Sequence, residues 1–210
     1  MFLTIEGSEG VGKSTAMKLI QIYLSAANVP VVMTREPGGT PTAEQIRKIL
    51  LTPDGEEKLV PATELLLMFA SRAQHIANLI KPALAAGKWV VSDRFVDASY
   101  AYQGGGRGFD LARIAQLDSW IVGNIMPDVT ILLDAPPKIG LARAKKREVH
   151  DRIEQEQIDF FERVREGYLA RAKADAKRFK VIDATQSLAA VHGEIKLLLD
   201  KLIQEKSGAE

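Results

Sequence analysis

Eight residues near the amino terminus have the types and spacing for phosphate chemistry. They are Gly7-Ser8-Glu9-Gly10-Val11-Gly12-Lys13-Ser14, the pattern G-x-x-x-x-G-K-S. Glycines let the backbone take conformations that a Cβ forbids, so successive N–H groups can converge on one anion. Lys13 could then reach the β- and γ-phosphates of a nucleoside triphosphate, and the Ser14 hydroxyl could take one position on Mg²⁺. Context separates this reading from a glycine turn that only joins two elements. Phe2-Leu3-Thr4-Ile5 reads as a strand before the loop, and Met17, Leu19, Ile20, Tyr23 and Leu24 have helical spacing after it. A helix starting at Lys13 adds the positive end of its dipole to the site.

Composition narrows what else the chain can do. Lys and Arg number 28 against 27 Asp and Glu, so charge points to neither a nucleic-acid nor a membrane partner. The absence of cysteine excludes disulfides, thiolate metal sites and cysteine nucleophiles. His75, His150 and His192 share no metal-like spacing and are expected to pack or to lie on the surface. The amino terminus lacks the basic start of a signal peptide, and no apolar run is long enough for a bilayer, so a cytoplasmic protein is expected.

The elements that must carry the loop alternate between strand and helix. Strands are expected at 2–5, 29–33, 89–92, 129–133 and 180–182, with helices near 43–51, 63–86, 111–122, 155–177 and 188–203 and one beginning near Pro137. Pro82 should kink the 63–86 helix or split off its last turn. Residues 103–108 read as a glycine-rich loop, and 205–210 as a frayed tail. Alternating elements imply a doubly wound, five-stranded parallel sheet flanked by helices, an α/β fold with one domain over 1–210. In such sheets ligands gather outside the carboxyl ends of the strands, here the loops beginning at Gly7, Thr34, Asp93, Asp134 and Asp183.

A phosphate loop alone permits switches, motors, transporters and kinases. The guanine-specifying Asn-Lys-x-Asp and the switch motif Asp-x-x-Gly are both missing, which leaves a kinase for a small acceptor. Leu65, Phe69 and Arg72 share a helix face, and an aromatic beside an Arg can stack a base and donate to its carbonyl edge. By periodicity alone that triplet is more often a core stripe with a snorkelling Arg.

The ordered set Glu6-Gly7-x-Glu9-Gly10-x-Gly12-Lys13-Ser14, Thr34-Arg35-Glu36-Pro37-Gly38-Gly39-Thr40, Asp93-Arg94-Phe95, Ala101-Tyr102-Gln103-Gly104 and Asp151-Arg152-Ile153-Glu154 resembles that of bacterial thymidylate kinases, P-loop nucleoside monophosphate kinases. The resemblance covers nearly the whole chain. It implies an ATP- and Mg²⁺-dependent enzyme that converts dTMP to dTDP for thymidine nucleotide supply, and a homodimer formed through helices such as 63–86 and 111–122. The nearest alternatives are another pyrimidine monophosphate kinase, acting on UMP or dUMP, and a P-loop regulatory switch. The resemblance places ATP on the loop from Gly7 to Ser14 and on Thr15, with Arg143, Asp183 and Ala184 toward the adenine. It gives dTMP to Glu9, Arg35, Pro37, Phe69, Arg72, Arg94, Ser99, Tyr102 and Gln103. Phe69 would stack the base and Arg72 reach its O4; Arg94 would hold the acceptor phosphate, with Asp93 near Mg²⁺ through water. Because the loop carries no arginine, the branch implied is the one whose lid, here about 143–152, supplies it, from Arg147 first and Arg152 second.

Overall fold

The computed structural model describes residues 1–52, 57–144 and 152–207. Five parallel strands, β1 (Phe2–Glu6), β2 (Val31–Arg35), β3 (Trp89–Asp93), β4 (Val129–Asp134) and β5 (Phe179–Asp183), form one sheet in the order β2-β3-β1-β4-β5. Residues on β1 alternate between two buried faces, as strands covered on both sides must. Leu3 and Ile5 join Val91, Ile131, Leu133 and Ile182 against α1 (Lys13–Ala26) and α9 (Leu188–Ser207). Phe2 and Val90 face the other way, onto α3 (Pro61–His75) and α6 (Leu111–Ile121). On that same side Leu132 and Phe179 pack on α8 (Ile158–Ala174). Central β1 therefore delivers the glycine loop to the middle of the sheet's carboxyl edge, beside the turn that leaves β3.

The α/β sheet is the one expected, while several boundaries differ for local reasons. The second strand begins at Val31 rather than Val29, because the Val29 N–H closes α1 by donating to Leu24 O at 2.9 Å. The 63–86 helix starts at Pro61 and changes to a five-residue π-helix over Ile76–Ile80 before α4 (Lys81–Ala85). Pro82 falls in the first turn of α4, directly after the π-helix, so the change of helical winding precedes the residue that lacks an N–H. The stretch 103–108 is not an open loop: after α5 (Val96–Ser99), Tyr100–Gly106 winds as a π-helix. Its glycines serve close packing, since a Cβ on Gly105 would meet the Arg163 carbonyl and one on Gly106 the Phe160 ring. Helix α8 is shorter than 155–177, and α9 runs on to Ser207, so 205–207 is not frayed; 208–210 lie outside the described residues.

Two further helices matter for the site, α2 (Pro41–Leu51) and α7 (Pro137–Ala144). The glycine loop touches α7 backbone to backbone. A Cβ on Gly10 would overlap the Gly140 carbonyl, and one on Gly140 would overlap the Glu9 carbonyl. Gly140→Ala is therefore expected to lower stability by about 1–3 kcal/mol in urea unfolding, as overpacking does; unchanged stability would show that the two backbones can part freely.

Candidate active site

The glycine loop reaches α1 through left-handed backbone at Gly10 (φ 71°) and Gly12 (φ 101°), a region that L side chains seldom occupy. No side chain caps α1; Thr15 and Ala16 N–H donate to Gly12 O (both 3.0 Å), which leaves the N–H groups ahead of them to face a ligand anion. Lys13 folds over the loop, its Nζ donating to Gly7 O (3.0 Å) and Ser8 O (2.7 Å). Burial lowers the Lys13 pKa, and the nearby Arg94 guanidinium lowers it further. Ser14 stands exposed at the loop's end.

Arg94 follows β3 with φ 72°, a left-handed backbone rare for a residue with a Cβ. Its Nη1 donates to Gly7 O (2.7 Å) and to the Tyr168 hydroxyl (3.2 Å), while Nη2 meets both carboxylate oxygens of Glu9 at 2.8 and 3.0 Å. The Tyr102 hydroxyl donates to the same Glu9 carboxylate (2.8 Å), and the Arg94 guanidinium lies 4.8 Å from the centre of the Tyr102 ring.

Arg72 is buried, its guanidinium carbon 4.7 Å from the Phe69 ring centre and 5.6 Å from that of Phe95. It donates to Glu36 (2.7 Å), Ser99 Oγ (3.1 Å) and Phe95 O (3.1 Å). Gln103 donates to Glu64 at 2.8 Å. Arg35 pairs with Glu44 at 3.0 Å, and Arg47 donates to the carbonyl of Pro37 at 2.8 Å.

These groups share one cavity of about 460 Å³, lined by Glu9, Gly10, Gly12, Lys13, Ser14 and Thr15 at one end and by Arg35, Pro37, Arg72, Ser99, Tyr102 and Gln103 at the other. Asp93, Arg94 and Arg143 line it as well. Gly7, Ser8 and Val11 support the loop without lining that cavity. Asp183 and Ala184 also stay off the wall, although Arg143 donates to Ala184 O at 3.0 Å.

Two expected residues are placed elsewhere. Phe69, expected to stack the base, is buried behind Arg72; the wall position belongs to Met68, one full turn before Arg72 and one residue round the helix. Arg152, expected at the transferring group, is buried against Glu64 (2.6 Å) and Leu50 O (3.0 Å) and does not line the cavity. Arg147 and most of the expected 143–152 lid lie outside the described residues.

Buried carboxylates are what sequence reading missed. Glu64 gathers Gln103, Arg107 and Arg152; burial pushes its carboxyl up, but these donors together bring it below the usual range. Glu6 accepts from Phe95 N (2.7 Å) and the Tyr168 hydroxyl (2.7 Å). Burial, with Asp97 adding repulsion, raises its pKa from 4.5 to about 8. Local spacing gives no sign of either role, since the partners are distant in sequence. Met68 could have been found from its helical spacing to Arg72.

The donor set fits a magnesium ion held largely by substrate phosphates. Asp93 Oδ1 is buried without a hydrogen-bond partner, and Asp93 lines the same cavity as the Ser14 hydroxyl. Among the described residues no group of three or more His, Asp or Glu could cage a metal alone. That suits an ion that dehydrates reluctantly and takes few protein ligands.

A glycine loop on central β1, an arginine-lined cleft and a second buried subsite define a P-loop phosphotransferase. The family model for thymidylate kinase matches residues 5–195. Thymidylate kinases of Pseudomonas entomophila and a Marinomonas species are 52% and 49% identical, over 99% of this chain and 99% and 97% of theirs. The crystal structure of thymidylate kinase from Ehrlichia chaffeensis superposes with a TM-score of 0.76 at 35% identity, over 95% of this chain and 98% of that one. The chain belongs to the thymidylate kinase family.

Glu6 generates a pH prediction. The folded chain holds the Glu6 proton more tightly than the unfolded chain, so this stabilisation is complete below pH 4.5 and is lost as pH rises toward about 8. Urea unfolding should show wild type losing stability relative to Glu6→Gln across that window; a pH-independent difference would contradict the assignment.

Proposed function

We propose that the chain transfers the γ-phosphoryl group of ATP to dTMP, giving ADP and dTDP. The observation that carries this reading is the single cavity joining the P-loop, through Arg94, to the polar subsite at Arg72, Ser99 and Gln103. The family names the acceptor; no feature of the cavity favours a regulatory switch.

The attacking oxygen belongs to an ionised phosphate and needs no protein base, so catalysis is positioning and charge neutralisation. Loop N–H groups and Lys13 take the donor phosphates. Arg94, whose planar fork suits bidentate capture, takes the acceptor phosphate, and Arg35 supports it. Both cations first give up internal acceptors: Lys13 leaves Gly7 and Ser8, and Arg94 loosens from Glu9. Glu9, so released, accepts from the sugar 3′-hydroxyl, and Tyr102 crowds the 2′ side. Pro37 and Met68 wall the base, and Arg72 donates to its O4. Ser14, with Asp93 through water, would hold Mg²⁺, whose charge supports the donor phosphates. Arg143 lies toward the adenine; Arg147 keeps the role at the transferring group that resemblance gives it, with Arg152 second if it leaves Glu64.

The chain works as one domain in a homodimer. Support comes from adjacent helices α3 and α6, the helices through which the family resemblance implies pairing, which expose Leu66 (58%) and Trp120 (79%). No helix among the described residues is long and apolar enough to cross a membrane. We infer a cytoplasmic enzyme acting on small molecules, because its near-neutral charge favours no nucleic-acid partner.

In a coupled ADP-release assay, turnover should be rapid only when dTMP is added, and slower with UMP or dUMP. Arg94→Ala should raise the dTMP KM and lower kcat, each by about tenfold or more, because a charged contact to the phosphate serves both binding and transfer. Near-normal kinetics in that variant would remove Arg94 from the reaction.

A further inference from the structure

Glu36 is buried between the two walls of the base subsite, and the reaction as derived above makes no use of it. Its Oε2 accepts from Arg72 Nε at 2.7 Å, and its Oε1 faces His75 Nδ1 at 2.9 Å. A carboxylate here can only accept, so His75 donates from Nδ1, and its Nε2 meets the Thr34 hydroxyl at 2.7 Å. His75 is fully buried, and Gly39 passes so close that a Cβ there would strike both its ring and Thr34. The loop carrying Pro37 is thus tied to the helix carrying Met68 and Arg72, with Gly38 N donating to Ser71 Oγ (3.1 Å) as a further tie.

The consequence lies in the donor count of Arg72. A guanidinium has five N–H bonds. Three go to Glu36, Ser99 and the Phe95 carbonyl, and the rings of Phe69 and Phe95 lie against it. What remains for a ligand is a donor edge at a fixed angle. Such an edge accepts a carbonyl and opposes an amino group, whose own N–H bonds would face it.

We propose that Glu36, held by His75, is a positioning residue that sets discrimination between 4-carbonyl and 4-amino pyrimidine monophosphates by fixing the Arg72 donor edge. This rests on the reading above, in which Arg72 meets the base. The 5-methyl group is not read by this pair. Glu36 therefore governs dTMP against dCMP and has no part in dTMP against dUMP.

The test is the binding of dTMP, dUMP and dCMP by isothermal titration calorimetry to wild type, Glu36→Gln, His75→Leu, His75→Asn and Arg72→Lys, with thermal unfolding of each. Glu36→Gln and His75→Leu should each narrow the dTMP-to-dCMP preference by about tenfold, the scale of one misaligned charged hydrogen bond, while the dTMP-to-dUMP preference stays within about twofold. The KM for ATP, measured on the same variants in the coupled ADP-release assay, should hold within about twofold in both. His75→Asn keeps a donor where Nδ1 lies and should restore most of the preference. If Arg72→Lys narrows the dTMP-to-dCMP preference but Glu36→Gln and His75→Leu do not, the inference fails and the Arg72 reading survives. If Arg72→Lys also leaves it unchanged, both fail. Equal losses for all three monophosphates and for ATP would reduce the pair to a structural role and overturn the proposal; should Glu36→Gln not fold, His75→Leu decides by the same ratios.

Discussion

The site depends on one cation held in an uncommon backbone conformation. Arg94 continues the β1–β3 pairing, its N–H bonding Ile5 O at 3.0 Å, and then turns into the left-handed region at φ 72°. That conformation costs on the order of 1–3 kcal/mol for a residue with a Cβ and persists only when its surroundings over-determine it. Here they do. Phe95 N is caught by Glu6, and the guanidinium is caught by Gly7, Glu9 and Tyr168, so the residue is fixed on both sides of its turn. Straight extension of β3 would carry the side chain away from the glycine loop; the turn aims it across the end of β1.

A second regularity follows from withdrawing two cations from solvent in one cleft. Each has found an internal oxygen: Lys13 the loop carbonyls, Arg94 the Glu9 carboxylate. Unpaired, such charges would carry a large desolvation cost. Substrate phosphates would take over the part that these oxygens play, at little cost in charge burial, because one set of acceptors replaces another.

Much of this was legible in the sequence, and the failures have physical causes. The P-loop could be read because its strand, glycines and helix are contiguous, and Asp93-Arg94 because it directly follows an apolar strand. Helical spacing did not say which residue before Arg72 lines the cavity: the Phe69 ring lies buried against Arg72, while unbranched Met68 faces the cavity. Glycine content misled at 103–108, where close approach to α8 rather than an open turn is the reason for Gly105 and Gly106. Glu6 and Glu36 stood in the motif set, but their burial, like that of Glu64, was not legible, since it depends on partners that only the fold brings near; the Tyr168 hydroxyl that meets Glu6 lies 162 residues away in the chain. Even His75, expected only to pack, proves to be a hydrogen-bonded support.

The most direct measurement is a crystal structure of the chain with dTMP and a non-hydrolysable ATP mimic. The dTMP phosphate should sit within hydrogen-bond distance of the Arg94 guanidinium, in line with the donor's terminal phosphate, and the base should rest between Pro37 and Met68 with its O4 toward Arg72. A monophosphate bound elsewhere, with Arg94 still clasped to Glu9 and Gly7, would contradict the central role given to that cation.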